Sequence, residues 1–178
     1  TGLHVIRMSW YAKFLAEQIS ANKAWVELIH TAAPMHDIGK IAIPDRVLLK
    51  PGKLDEEEWE IMKKHVEYGV DILGTHQSEL LSMAREIALG HHEKYDGSGY
   101  PQGISGTNIP LSARIVAIAD VFDALTSERP YKKAWSVEKA VALLEEEAGK
   151  HFDPELVPEF VKCLDKVVEV KNKYQDEL

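Results

Sequence analysis

"LSARIVAIADVFDALTS", residues 111–127, is apolar on nearly every side of a helical projection, the pattern of a helix buried in a core rather than laid on a surface. Yet it carries Asp120 and Asp123. An ionised carboxylate withdrawn from water is strongly destabilising unless it is paired or bound to a metal ion. The two acids therefore require partners, and the sequence offers no obvious buried cation for them.

Outward from this central helix, the same periodicity recurs in shorter pieces. His4, Met8, Tyr11, Leu15 and Ile19 follow one another at steps of three and four, predicting a helix over 4–19 with His4 facing inward. A second helix is expected from Lys23 to Ala33, broken at Pro34 just before "MHDIGK". In "IAIPDRVLLKPGKL" (41–54), Pro44, Pro51 and Gly52 stand too close together for a regular element. Asp55 and Glu58 form a capping-box start to a helix that reaches His65 and continues through 66–76, with Gly69 as a bend. Glu79–Leu89 reads as a helix stopped by Gly90, and Ser136–Gly149 and Pro154–Tyr174 read as two amphipathic C-terminal helices. There is no alternating strand pattern, repeat or low-complexity tract. The expected class is all-α, a helical bundle around one central buried helix.

The 178 residues and 45% apolar content suit one domain over 1–178. No apolar run approaches the ~18 residues of a membrane span, and no signal-peptide order is seen at the start, so a cytoplasmic location without membrane insertion is expected. Because the chain opens at Thr1, already helical, it reads as a domain from a longer protein. Cys163 is the single cysteine, which leaves no intrachain disulfide and no thiolate-rich zinc site. It reads as a small apolar side chain. A net charge of −8 disfavours a nucleic-acid polymer as partner, and an anionic substrate would need local compensation by metal ions or placed cations.

His4, the pair His36 and Asp37, His65, the pair His91 and His92, and Asp120 are the chemistry-bearing candidates. Singly, each has a plain structural role open to it, as a core histidine, a cap or a helix-end charge. Jointly they fall at helix faces and ends that can converge. His30, His76 and His151 lack such company and are assigned to surface or core. Nitrogen and oxygen ligands without thiolate suit iron, manganese, nickel or zinc. Seven side chains exceed what one ion takes, so two metals are expected. Asp37 would bridge them, with a shared hydroxide between ions about 3.5–4 Å apart aimed at a phosphorus.

"HDIGK" (36–40), "HHEKYDGSGYP" (91–101) and "IADVFDALTSERPYK" (118–132) resemble the HD-GYP subfamily of the HD metal-dependent phosphohydrolases. The likeness runs from "TGLH" at the start to about Lys133. It implies an HD-domain helical bundle with additional C-terminal helices, and hydrolysis of cyclic di-GMP to pGpG and onward to GMP. It further implies that His4, His36, Asp37, His65, His91, His92 and Asp120 ligate two or three divalent ions, most readily iron or manganese. Lys40, beside Asp37 in the catalytic role, would face the scissile phosphate or leaving group. Tyr100 would lie along the substrate groove, Arg129 and Lys132 would contact phosphate, and Asp123 would stand with them while supporting the metal site. Glycines 97 and 99 would let the loop fold close to the metals. Some members carry a glutamate directly before "TGxH", associated with a third ion, so a two-ion core on the seven ligands is the expectation for this sequence. A fused sensory or receiver domain and a homodimer are compatible with the resemblance.

Three rivals remain at this stage. A mononucleotide phosphohydrolase using His4, His36, Asp37 and Asp120 leaves His65, His91 and His92 without employment. A di-iron oxygenase accounts less well for Lys40, Arg129 and Lys132, and a non-catalytic cyclic dinucleotide sensor has no need of every ligand position.

Overall fold

The computed structural model describes residues 2–75 and 77–175. Thr1, read as a helical start, and His76, assigned to surface or core, lie outside the described residues.

Helix α1 (Gly2–Ile19) buries Met8, Tyr11 and Leu15 completely, as their spacing predicts. Helix α2 (Lys23–Ala32) starts on Asn22, whose side chain accepts the Trp25 N–H at 3.1 Å. Pro34 does not simply break the chain but sits early in a 3-10 turn, Ala33–Met35, where a missing N–H has no bond to forfeit. The stretch expected to be irregular also holds a 3-10 turn, Ile38–Ala42, and a one-turn helix α3 (Asp45–Leu48). Its prolines bound short elements rather than forbid them.

The capping box forms as predicted at the start of α4 (Glu56–Lys63): Asp55 accepts the Glu58 N–H at 2.7 Å and Glu58 accepts the Asp55 N–H at 3.1 Å. The bend before α5 (His65–Leu73) falls at Lys64, not at Gly69, which stays helical. Helix α6 (Glu79–Gly90) runs through Gly90 and is capped at His91, so the glycine ends the helix from inside. A 3-10 turn at Gly106–Asn108 leads into α7 (Leu111–Thr126), and Ser136 caps α8 (Val137–Glu146). The single C-terminal helix expected over 154–174 is two, α9 (Leu156–Lys162) and α10 (Leu164–Lys173), parted at Cys163. The Cys163 thiol is buried against the Phe160 carbonyl at 3.2 Å, a packing role at a junction rather than within a helix.

Helix α7 is the centre of the bundle, with α1, α6 and α8 packed around it. Its Ile115, Val116, Ile118 and Phe122 have no exposure. Phe122 meets Tyr11 of α1 and Phe160 of α9 edge-on, at ring separations of 5.5 and 5.1 Å. Each such side chain contributes about 1.5–3 kcal/mol through burial. The fold is all-α; among the described residues there is no β-strand, only two isolated bridges. No described helix is long and apolar enough to cross a membrane.

Candidate metal centre

Four helices and one link between 3-10 turns deliver the seven predicted ligands to one place. His4 comes from the first turns of α1, His36 and Asp37 from the link between the two 3-10 turns, His65 from the first residue of α5, His91 and His92 from the end of α6, and Asp120 from the middle of α7. They divide into two groups, Asp37 with His65, His91 and His92, and His4 with His36 and Asp120. Within each group the ligand atoms lie within 4.8 Å of one another. Asp37 faces both. Its Oδ1 is 3.3 Å from His65 Nε2 and 3.4 Å from His91 Nε2, while its Oδ2 is 3.1 Å from His36 Nε2. That is the placement of a carboxylate able to bridge two ions.

Gly39 makes the approach feasible. A Cβ there would stand 1.8 Å from the His65 carbonyl oxygen and 2.4 Å from the Gly69 nitrogen, so only glycine lets α5 press against the turn that carries Asp37.

The imidazoles are set for metal by their outer nitrogens. Nδ1 of His36, His65 and His91 donates to the carbonyls of Ala33, Met62 and Ile87 at 2.9, 2.7 and 3.0 Å, which fixes each ring and turns its Nε2 inward. Nε2 of His36, His65, His91 and His92, with Asp37 Oδ1, is buried without a hydrogen-bond partner. Four orphaned nitrogens and a carboxylate oxygen at this density are costly unless a cation satisfies them, so the residues fit divalent ions. Electrostatics agrees. Burial, with His91 and His65 alongside, pushes His92 down to about 2, so its ring is neutral and able to offer a lone pair. Burial opposes charge on His36 too, but Asp120 and Asp37 raise it to about 10, a cationic place that a metal ion would take over from a proton. Against their own burial, Asp37 and Asp120 are held well below the usual carboxylate range, chiefly by His36, with His65 and His91 acting on Asp37 and His4 on Asp120.

Asp123 has a partner that the sequence reading missed. Arg7, three residues after His4 on α1 and 3% exposed, sets its Nε 2.7 Å from Asp123 Oδ1. Asp123 Oδ2 is 2.6 Å from His4 Nδ1. Buried and engaged on both oxygens, Asp123 stands behind His4 and is also among the residues that line the cavity beside that group. The three-residue spacing of His4 and Arg7 was the available signal.

A cavity of about 540 Å³ opens over the His4, His36 and Asp120 group, lined also by Lys40, His92 and Arg129. The Lys40 ammonium is 3.0 Å from Asp37 Oδ2. Arg129 and Lys132 close a tight turn through paired backbone hydrogen bonds of 3.0 and 3.1 Å. Lys132 lines a neighbouring depression together with Asp120 and Arg129, its ammonium 5.6 Å over the Trp135 ring. Tyr100 stacks on His92, and Trp59 meets Tyr100 edge-on at 6.0 Å. The turn bearing Tyr100 is pinned by buried Glu93, which accepts the N–H groups of Gln102 and Gly103 at 2.9 Å each. Gly97 takes φ +86°, and a Cβ on Gly99 would stand 2.5 Å from the His92 carbonyl oxygen. His30 packs on Trp10 at 4.5 Å and His151 stacks on Phe152 at 4.1 Å, both away from the ligands.

The HD domain family model matches residues 3–156. A 3'3'-cGAMP-specific phosphodiesterase of Vibrio cholerae is 47% identical over 176 residues, 99% of this chain and 34% of its own length. A cyclic di-GMP phosphodiesterase response regulator of Xanthomonas campestris is 53% identical over 157 residues, 88% and 42% of the two chains. A cyclic di-GMP phosphodiesterase of Thermotoga maritima is 46% identical over 177 residues, 99% and 48%. The chain thus spans between about a third and about a half of these relatives. An HDGYP protein from Bdellovibrio bacteriovorus shares the fold, with a TM-score of 0.69 at 21% identity over 91% of this chain and 51% of its own.

Proposed function

The chain belongs to the HD-domain family, and from that premise we propose that it is a metal-dependent phosphodiesterase that hydrolyses cyclic di-GMP to pGpG and onward to GMP. The observation that carries the proposal is the pair of ligand groups meeting across Asp37 with their buried Nε2 atoms unpartnered, next to a cavity that also presents Lys40 and Arg129.

Two divalent ions, iron or manganese on these nitrogen and oxygen ligands, would supply an activated water and neutralise phosphate charge. The protein's own contribution is placement. Asp37 holds the two groups face to face. Lys40, anchored on Asp37, brings an ammonium to the cavity, where it would meet the scissile phosphate and donate a proton to the leaving sugar oxygen. Arg129 offers a planar fork to phosphodiester oxygens, and Lys132 adds positive charge on the far side of the same turn. These cations supply the local compensation that a chain of net charge −8 needs for a dianionic substrate. Tyr100, stacked on His92, would border the substrate from the neighbouring depression it lines with Lys63 and Lys64.

The relatives' greater length, and the response-regulator description of one, support a fused sensory or receiver domain; a cytoplasmic location goes with a second-messenger substrate. The 47% identity to a 3'3'-cGAMP-specific enzyme favours that dinucleotide as the competing substrate. A sensor without catalysis is disfavoured because every ligand position is filled by a competent residue.

The test is anaerobic purification with metal analysis, followed by turnover of cyclic di-GMP and 3'3'-cGAMP with iron and with manganese. Two ions per chain and pGpG as first product are expected. Two bound ions with neither dinucleotide cleaved would overturn the proposal, and faster cleavage of 3'3'-cGAMP would replace its substrate.

A further inference from the structure

We propose that Arg7 is a positioning residue for the metal-ligand position His4, and that it ties the end of α10 to the group formed by His4, His36 and Asp120. The inference rests on the two-ion reading above. Arg7 and His4 share a face of α1, and both reach Asp123 on α7. Arg7 grips the carboxylate with Nε at 2.7 Å from Oδ1 and Nη2 at 3.2 Å from Oδ2, while His4 Nδ1 lies 2.6 Å from Oδ2. On its far side the same guanidinium donates from Nη1 to the Tyr174 carbonyl at 2.6 Å and from Nη2 to the Ser127 hydroxyl at 3.0 Å. The path runs from the end of α10 through Arg7 and Asp123 to His4, whose Nε2 ends 3.0 Å from Asp120 Oδ1.

Only a planar fork does this. A carboxylate holding a histidine through one oxygen is free to rotate about its own side-chain bonds, and the imidazole would turn with it. Two guanidinium contacts fix the carboxylate plane, and the bonds to Tyr174 and Ser127 fix the guanidinium in turn. His36, His65 and His91 need no such device, because backbone carbonyls one turn away hold their Nδ1 atoms. His4 takes a side chain from another helix instead, so its orientation depends on a tertiary contact. A buried arginine–aspartate pair that served stability alone would have no reason to share its carboxylate with a metal-ligand position.

The experiment is titration of metal-stripped wild type, Arg7→Met and Arg7→Lys with manganese, reading stoichiometry and affinity by calorimetry and by the paramagnetic signal of free ion. Wild type should bind two ions. Arg7→Met should weaken one of them about 10- to 100-fold, the usual consequence of losing an outer partner of a ligand, and leave the other unchanged. Arg7→Lys, which keeps charge but not the fork, should fall between. Asp123→Asn should weaken the same ion, and the double variant Arg7→Met with Asp123→Asn should add little, because the two act in series. A lower melting temperature with both affinities intact would reduce Arg7 to a structural role and overturn the inference, as would equal weakening of both ions. Should Arg7→Met fail to fold, Arg7→Lys decides: two wild-type affinities there would refute the need for a fork. A wild type that binds one ion would overturn the two-ion reading instead, and the inference with it.

Discussion

Tyr100 lies flat on the imidazole of His92, ring centroids 4.8 Å apart and planes 14° apart. The tyrosine therefore covers the face of a candidate ligand, while itself lining a separate depression with Glu60, Lys63 and Lys64. Among the described residues, backbone carbonyls hold Nδ1 of His65 and His91 but not of His92, so the stack substitutes for a hydrogen bond in steadying the ring. Aromatic stacking is worth about 0.5–1.5 kcal/mol. Tyr100→Ala should accordingly weaken metal at the four-ligand group by roughly 2- to 12-fold, while Tyr100→Phe should bind metal as wild type does. Metal titration of both variants checks this, and an alanine variant with undiminished affinity would leave the stack without a part in holding metal.

Lys40 and Arg129 approach the same cavity with different anchorage, and their variants should separate. Lys40 is held 3.0 Å from Asp37, at the centre of the two groups, whereas Arg129 stands on an exposed turn. Lys40→Ala should lower kcat by about 10²-fold or more, in keeping with loss of a proton donor, with little change in KM. Arg129→Ala should raise KM by roughly tenfold, less than a buried charge would cost because solvent screens it. Steady-state kinetics on cyclic di-GMP decides, and reversed effects would reassign the two cations.

The central helix and the seven candidate ligands were legible in the sequence because burial of an acid leaves few alternatives: Asp120 inside an apolar helix demands company. Short-range breaks were less legible. Lys64 and Cys163 divide helices without proline or glycine, since a last-turn tightening is a property of packing rather than of the residue. Pro34 and Pro44 looked like breakers yet start short turns. The partner of Asp123 was hidden for a different reason. Its cation, Arg7, lies more than a hundred residues away in sequence and only the fold brings the pair to 2.7 Å.

Gly39 carries a prediction about stability and metal together. Its virtual Cβ collides with backbone atoms of α5, which cannot swing aside as a side chain can. Gly39→Ala should cost about 1–3 kcal/mol or more through forced separation of α5 from the turn. His65 is the first residue of α5, so the same shift should draw it from Asp37 and lower metal content. Gly69→Ala is the control, since its Cβ would meet nothing nearer than 3.4 Å. Thermal melts and metal analysis of both variants test this; a stable, fully metallated Gly39→Ala would contradict the close approach.

His151 provides a pH signature independent of the metals. Its ring stacks on Phe152 at 4.1 Å, and burial, with the Lys94 charge nearby, pushes it from its ordinary 6.5 down to about 4. In the folded protein it is neutral where the unfolded chain would already be protonated. The stabilisation linked to it is therefore complete above pH ~6.5 and is lost progressively as pH falls towards 4, with a slope of at most about 1.4 kcal/mol per pH unit for one proton. His151→Phe keeps an aromatic ring against Phe152 but has nothing to protonate. The difference in melting temperature, variant minus wild type, should be constant between pH 7 and 8 and should grow steadily from pH 6.5 to 4. A difference that stays flat across the acid range would mean that His151 titrates alike in both states, and that its packing on Phe152 does not exclude the proton.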